Sequence, residues 1–142
     1  MQAVQSTPNI AKTYARSLGG VLTLVGVLGF IPGITSNAPD GHLLGIFAVN
    51  PTHNIIHLLT GIVGLVAGFA ADGVYARWFA LAFGVVYALV TVIGFIQGTT
   101  VLGLIPTNLA DNLLHVLITV ASLAVYFTTN DQGTPATTTP VR

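Results

Sequence analysis

Residues 44–69 read "LGIFAVNPTHNIIHLLTGIVGLVAGF", and from Ile55 to Phe69 the stretch holds no Asp, Glu, Lys or Arg. Asn50 followed by Pro51 is a helix start, an N-cap side chain and then proline at the first helical position. The run from 51 to 70 matches the roughly 20 helical residues needed to cross a hydrocarbon core about 30 Å thick. In lipid such a run is a helix, because every backbone N–H and C=O finds its partner within the segment. His53, His57, Gly61, Gly64 and Gly68 fall on one face. Small and polar residues of this kind mark helix–helix contact in membranes.

The stretch returns 58 residues later as "LGLIPTNLADNLLHVLITVASLAVYF", residues 102–127, without a gap. Gly45 aligns with Gly103, Asn50 with Asn108, Asn54 with Asn112, His57 with His115 and Phe69 with Phe127. The preceding segments echo too: "YAR" at 14–16 returns at 75–77, and "LGFIPG" at 28–33 returns as "IGFIQG" at 93–98. Apolar residues match easily by chance, but two Asn and a His in register do not. The pattern predicts a doubled helical hairpin, with both copies in the same orientation about an axis along the membrane normal.

Composition sets the same class. Of 142 residues 53% are hydrophobic and 6% charged, with mean hydropathy +0.83. A soluble domain carries about 25% charged residues, so this chain cannot build a polar shell and reads as an integral membrane protein. Lys12, Arg16, Arg77 and Arg142 balance Asp40, Asp72, Asp111 and Asp131. That leaves no basic footprint for nucleic acid. Cysteine is absent, which removes disulfides, thiolate catalysis and thiolate-ligated metals.

Four spans are expected, at about 14–31, 51–70, 75–96 and 109–127. The fold class predicted is an all-α four-helix membrane bundle. Its first repeat covers about 12–70 and its second about 73–128, followed by a disordered tail at 129–142 rich in Thr and Pro. The basic residues fall on one side of this arrangement, which places both termini in the cytoplasm. The basic flank of the first span resembles a leader peptide. However, the nearest small-residue site, at 36–39, puts proline just after the cut, and the repeat makes this span part of the mature protein.

His57 and His115 should lie at one depth, about 10 Å inside their helices at 1.5 Å per residue. Ionisable residues inside a membrane are functional candidates by default, and here several readings stand. Asn50, Asn54, Asn108 and Asn112 with the histidines can form a buried hydrogen-bond network that fixes one repeat on the other. Alternatively, His53, His57, Asp111 and His115 offer three imidazoles and a carboxylate suited to zinc or another divalent metal. His57 and His115 alone can ligate a haem or a chlorophyll. A proton path is a further possibility, with no charged residue at mid-membrane to support it.

The remaining polar residues read as structural. Asp40 and His42 belong to a solvated outer loop, Asp72-Gly73 to a tight turn, and Arg16 and Arg77 to residues that snorkel to headgroups. Ala76, Ala80, Gly84 and Ala88 give the third span a small-residue stripe. Trp78, Tyr14, Tyr75 and Tyr126 suit an interfacial aromatic belt. No phosphate loop, HExxH or Ser-His-Asp order is present.

The segments "NPTHNIIH" and "ADNLLH" resemble the Asn-Pro-x-His-Asn-x-x-His and Ala-Asp-Asn-x-x-His motifs of a bacterial four-helix membrane family, domain of unknown function 4383. The resemblance covers roughly 12–128 and falls on Asn50, Pro51, His53, Asn54, His57, Asp111, Asn112 and His115. It implies a bacterial inner, or other energy-transducing, membrane and supplies no reaction. The expected function is therefore non-enzymatic: a scaffold or accessory subunit that contacts the lipid bilayer and other membrane subunits. The rival is a metal- or tetrapyrrole-binding protein.

Overall fold

A computed structural model describes residues 9–36 and 41–129. Asp40, Arg142 and the tail from Asn130 onward lie outside the described residues. The elements are α1 (Ile10–Leu28), β1 (Gly41–Leu43), β2 (Phe47–Val49) and α2 (Pro51–Phe69), then a 3-10 turn (Ala70–Gly73). They continue with α3 (Ala76–Gln97), β3 (Thr100–Val101), β4 (Ile105–Pro106) and α4 (Leu109–Thr128). The protein is all-α in character, a four-helix bundle in which α1 pairs with α2 and α3 with α4. α1 also packs on α3.

Among the described residues three segments are long and apolar enough to cross a membrane, Pro51–Gly73, Ala76–Gln97 and Leu109–Thr128. α1 is less apolar because Lys12, Thr13, Arg16 and Ser17 occupy its first turns. It nevertheless runs antiparallel along α2, from Arg16 against Gly68 to Gly29 against Asn54. α1 starts one turn earlier than expected because Asn9 caps it, accepting from the Lys12 amide at 3.1 Å.

Glycine closes this first pair of helices. A Cβ on Gly19 would stand 2.6 Å from the Leu65 nitrogen, and one on Gly26 would stand 2.7 Å from the Leu58 nitrogen. No backbone atom can yield by that much, so the absence of side chains sets the interaxial distance. On α3 the expected small stripe is present, with Ala76, Ala80 and Gly84 buried. Beside it runs a ladder that periodicity did not single out: Phe79 stacks on Phe83 (5.1 Å between ring centroids) and Phe83 meets Tyr87 (4.3 Å). Ala11, Ala15, Leu22 and Ala67 complete the core around it.

The connections between the helices of each pair are β-hairpins, where open loops were expected. Gly41 pairs with Val49 and Leu43 with Phe47; Thr100 pairs with Pro106 and Val101 with Ile105. Each turn is built on Leu-Gly, with Leu44 at φ 54°, Gly45 at 72°, Leu102 at 55° and Gly103 at 69°. Hairpin turns with positive φ at both central residues normally announce themselves as Asn-Gly or Asp-Gly, so leucine hid the hairpins. His42 lies exposed on β1.

At the opposite end the two arginines do more than reach for headgroups. Arg16 Nε donates to the Gly68 carbonyl at 2.8 Å, and its guanidinium lies 4.2 Å from the Phe69 ring centroid. Arg77 Nε donates to the carbonyls of Tyr126 (3.2 Å) and Thr129 (2.7 Å) and lies over the Tyr126 ring at 4.1 Å. Each arginine therefore satisfies carbonyls at the end of its partner helix, where a cation also meets the negative end of the helix dipole. Lys12 pairs with the exposed Asp72 in the turn that follows α2.

Candidate functional site

The sequence motifs assemble at the hairpin end of the bundle. Asn50 Oδ1 accepts from the His53 amide at 2.8 Å, and Asn108 Oδ1 accepts from the Asp111 amide at 3.0 Å. Both asparagines are thus N-caps, each satisfying one of the donors a helix start leaves open. The other end of each side chain crosses the molecule. Asn50 Nδ2 donates to the Leu104 carbonyl (3.0 Å) and Asn108 Nδ2 donates to the Ile46 carbonyl (2.7 Å). The bonds are reciprocal: the cap of each helix grips the hairpin turn that precedes the other.

The third helical residue breaks this symmetry. Asp111 closes a capping box by accepting from the Asn108 amide (2.9 Å), and the same oxygen accepts from the Ala48 amide (2.9 Å). Its charge sits at the positive end of the α4 dipole. The matching residue on α2 is His53, whose Nδ1 bonds to the Ala48 carbonyl at 3.0 Å. The sequence gives a reason for the difference. The position matching Ala48 in the second hairpin is Pro106, which has no N–H to offer. A carboxylate stands where a backbone donor faces it, and an imidazole stands where the facing residue is an imino acid.

Deeper in, the histidines join the aromatic ladder. His115 meets Tyr87 edge-on at 5.1 Å; His53 lies 6.3 Å from His115 and 4.4 Å from His57. His53 and His115 are buried, and His57 is half-buried. Nδ1 of both His57 and His115 is buried without a hydrogen-bond partner, as is Oδ1 of both Asn54 and Asn112. Each asparagine oxygen rests instead on a glycine, Asn54 on Gly29 and Asn112 on Gly94, in the space a Cβ would take. At that approach the contact is of the Cα–H···O kind.

The expected metal set does not come together as ligands. Among the described residues, no group of three or more His, Cys, Asp and Glu could hold a metal ion. The physical reason is that Asp111 is turned to the Ala48 and Asn108 amides, while His53 Nδ1 is engaged by Ala48. His57 and His115, the expected tetrapyrrole ligands, each have His53 as a neighbour within the cluster. The four asparagines expected to form a network divide by role: Asn50 and Asn108 cap and cross-link, whereas Asn54 and Asn112 seat on glycines.

The family model described as "Domain of unknown function (DUF4383)" matches residues 12–128. The chain belongs to this family. No curated protein and no solved structure matches it.

Several residues that build the site in this DUF4383 chain escaped the sequence reading. Ala48 and Pro106 were visible only as a mismatch in the aligned hairpins. Gly29, with Gly33, reads in the sequence as intrachain packing, and "LGFIPG" and "IGFIQG" align it with Gly94, but neither glycine was linked to Asn54 or Asn112. Tyr87 gave none, because one tyrosine within an apolar span looks like any other core residue.

Proposed function

We propose that this protein is a non-catalytic membrane component, a small scaffold or accessory subunit of a larger assembly in a bacterial inner membrane. In this reading it has four spans, both termini face the cytoplasm, and the two halves descend from one duplicated helical hairpin. The observation that carries the proposal is the reciprocal grip of Asn50 on Leu104 and of Asn108 on Ile46. With it, the buried polar groups of this end serve backbone atoms: Asp111 accepts from Ala48 of the other half, and His53 bonds Ala48 within its own half. Such a cluster stabilises an architecture and presents no nucleophile–base pair. The exposed surface is dominated by large apolar side chains on every helix, which suits lipid and the membrane-embedded faces of other subunits.

A second reading rests on one observation, the two buried and unpartnered Nδ1 atoms of His57 and His115. In it these residues hold a haem, a chlorophyll or a metal ion. The two readings part on protein purified gently from its own host membrane, examined by absorption spectroscopy and elemental analysis beside His57→Gln and His115→Gln variants. The scaffold reading expects no chromophore and no stoichiometric metal, and lowered unfolding midpoints in both variants. A Soret band or bound metal that disappears with either substitution, ahead of any loss of folding, would transfer the cluster to the ligand-site reading.

A further inference from the structure

The two hairpin turns place leucine where turn chemistry calls for asparagine or glycine. Leu44 and Leu102 hold φ of 54° and 55°, a region that side-chain-bearing residues other than Asn and Asp seldom adopt. Both are largely exposed, at 63% and 66%, and so are their neighbours Ile46 (53%) and Leu104 (62%). Neither hairpin, 41–49 or 100–106, contains an Asp, Glu, Lys or Arg. A strained backbone position carrying an exposed leucine, twice, is not what a water-facing turn would use.

The surroundings of the tips indicate what covers them. Ile46 is bonded through its carbonyl to Asn108, and the next residue, Leu109, is 65% exposed, followed on α4 by Leu113 at 56%. Leu104 is bonded in the same way to Asn50 at the start of α2, whose outward face continues with Ile55 and Leu59. Each tip is thus contiguous with the lipid-facing side of the helix it grips. Ile55 lies about 6 Å along α2 from its first residue, at 1.5 Å per residue.

We infer that the two Leu-Gly hairpin tips are embedded in the bilayer, with Leu44, Ile46, Leu102 and Leu104 buried in the headgroup–acyl boundary of the leaflet at that end of the bundle. Burial of apolar side chains at this level is what anchors interfacial elements to membranes. The cross-links from Asn50 and Asn108 then hold the tips down against the helix starts. The hairpins serve as two short anchors that fix the depth of the bundle.

The test uses the full chain reconstituted alone into phosphatidylcholine vesicles. Trp78 is replaced by Phe, and a single reporter indole is introduced as Leu44→Trp or, separately, Leu102→Trp. Quenching is read with lipids brominated near the headgroup end of the acyl chain and with aqueous acrylamide. The expected result is a blue-shifted emission, strongly quenched by the brominated lipid and several-fold less accessible to acrylamide than free tryptophan. Acrylamide access near that of free tryptophan with no effect of bromine would overturn the inference and place the tips in water. Shielding from both quenchers would also overturn it, by showing that protein, a second copy of this chain, covers them. Should either variant fail to fold, Ile46→Trp in place of Leu44→Trp, or Leu104→Trp in place of Leu102→Trp, reports from the same tip at a position without positive φ, and the same three outcomes apply.

Discussion

The two halves of this bundle share a plan and close it differently. α1 and α2 meet backbone to backbone through Gly19, Gly26 and Gly61, whereas α3 and α4 meet through side chains. There Gly84 faces the Leu123 side chain, and Tyr87 meets His115 edge-on. A glycine-closed pair gains its contacts from proximity and cannot widen without losing them all. A pair closed by side chains can shift a rotamer and keep most of its contacts. The difference assigns rigidity to the first half and adaptability to the second, and it orders the effects of substitution.

The largest effect should come from Gly19→Ala. The new methyl would press on the Leu65 nitrogen, the Gly61 carbonyl and the Gly64 backbone. The cost should be about 3 kcal/mol, the upper end of ordinary overpacking, and larger than the helix propensity gained by alanine. Gly84→Ala meets the end of the Leu123 side chain at 2.8 Å and the Ser122 Cβ at 3.0 Å. It should cost about 1 kcal/mol or less once propensity is counted. Detergent unfolding titrations of the two variants, followed by Trp78 fluorescence, give the ratio directly. Equal costs would remove the distinction between the halves.

Next in size is the asymmetric link at the hairpin end. Ala48→Pro deletes the N–H that Asp111 accepts from, which should cost about 2 kcal/mol, as for a hydrogen bond to a charged group. The substitution disturbs β2 little, because that N–H points to Asp111 and not into the β1–β2 ladder. Combined with Asp111→His, which copies the Pro106–His53 arrangement, the added cost of Ala48→Pro should shrink by about 1 kcal/mol or more. A double-mutant cycle measures this coupling. Strict additivity would mean that Ala48 and Pro106 do not decide which residue stands opposite them.

Smaller again are Gly29→Ala and Gly94→Ala. Each puts a methyl group where an asparagine oxygen now lies, and each should cost about 1–2 kcal/mol through a displaced side chain. Asn54→Ala should rescue Gly29→Ala, and Asn112→Ala should rescue Gly94→Ala; the crossed combinations should not. Unfolding midpoints of the four double variants test the pairing.

These pairings mark where sequence reasoning ran out. The helices were legible because spans of about 20 apolar residues have one stable form in lipid, and Asn50-Pro51 fixed the start of α2 to the residue. The inward direction of His53, His57 and His115 followed from helical spacing and the small residues beside them. The hairpins were not legible, since leucine at 44 and 102 stands where a turn with positive φ normally shows Asn or Asp before its glycine. Nor was the choice between ligand set and cap at Asp111. Spacing places a carboxylate one turn before His115 either way, and only the Ala48 amide, brought in by the fold, decides where it bonds.

The smallest effects sit at the far end, where the halves are most alike. Arg16 and Arg77 each cap the last turn of a neighbouring helix and cover a ring. Truncation to Ala should cost about 1 kcal/mol at Arg16 and somewhat more at Arg77, which reaches two carbonyls, those of Tyr126 and Thr129. Lysine retains the charge but lacks the planar fork. Arg16→Lys and Arg77→Lys should therefore recover only part of the loss, by the same fraction in vesicles with and without anionic lipid. A pair of arginines that did no more than snorkel would behave in the opposite way. Lysine would then substitute fully, and the stability difference would track the anionic lipid content instead of the identity of the side chain.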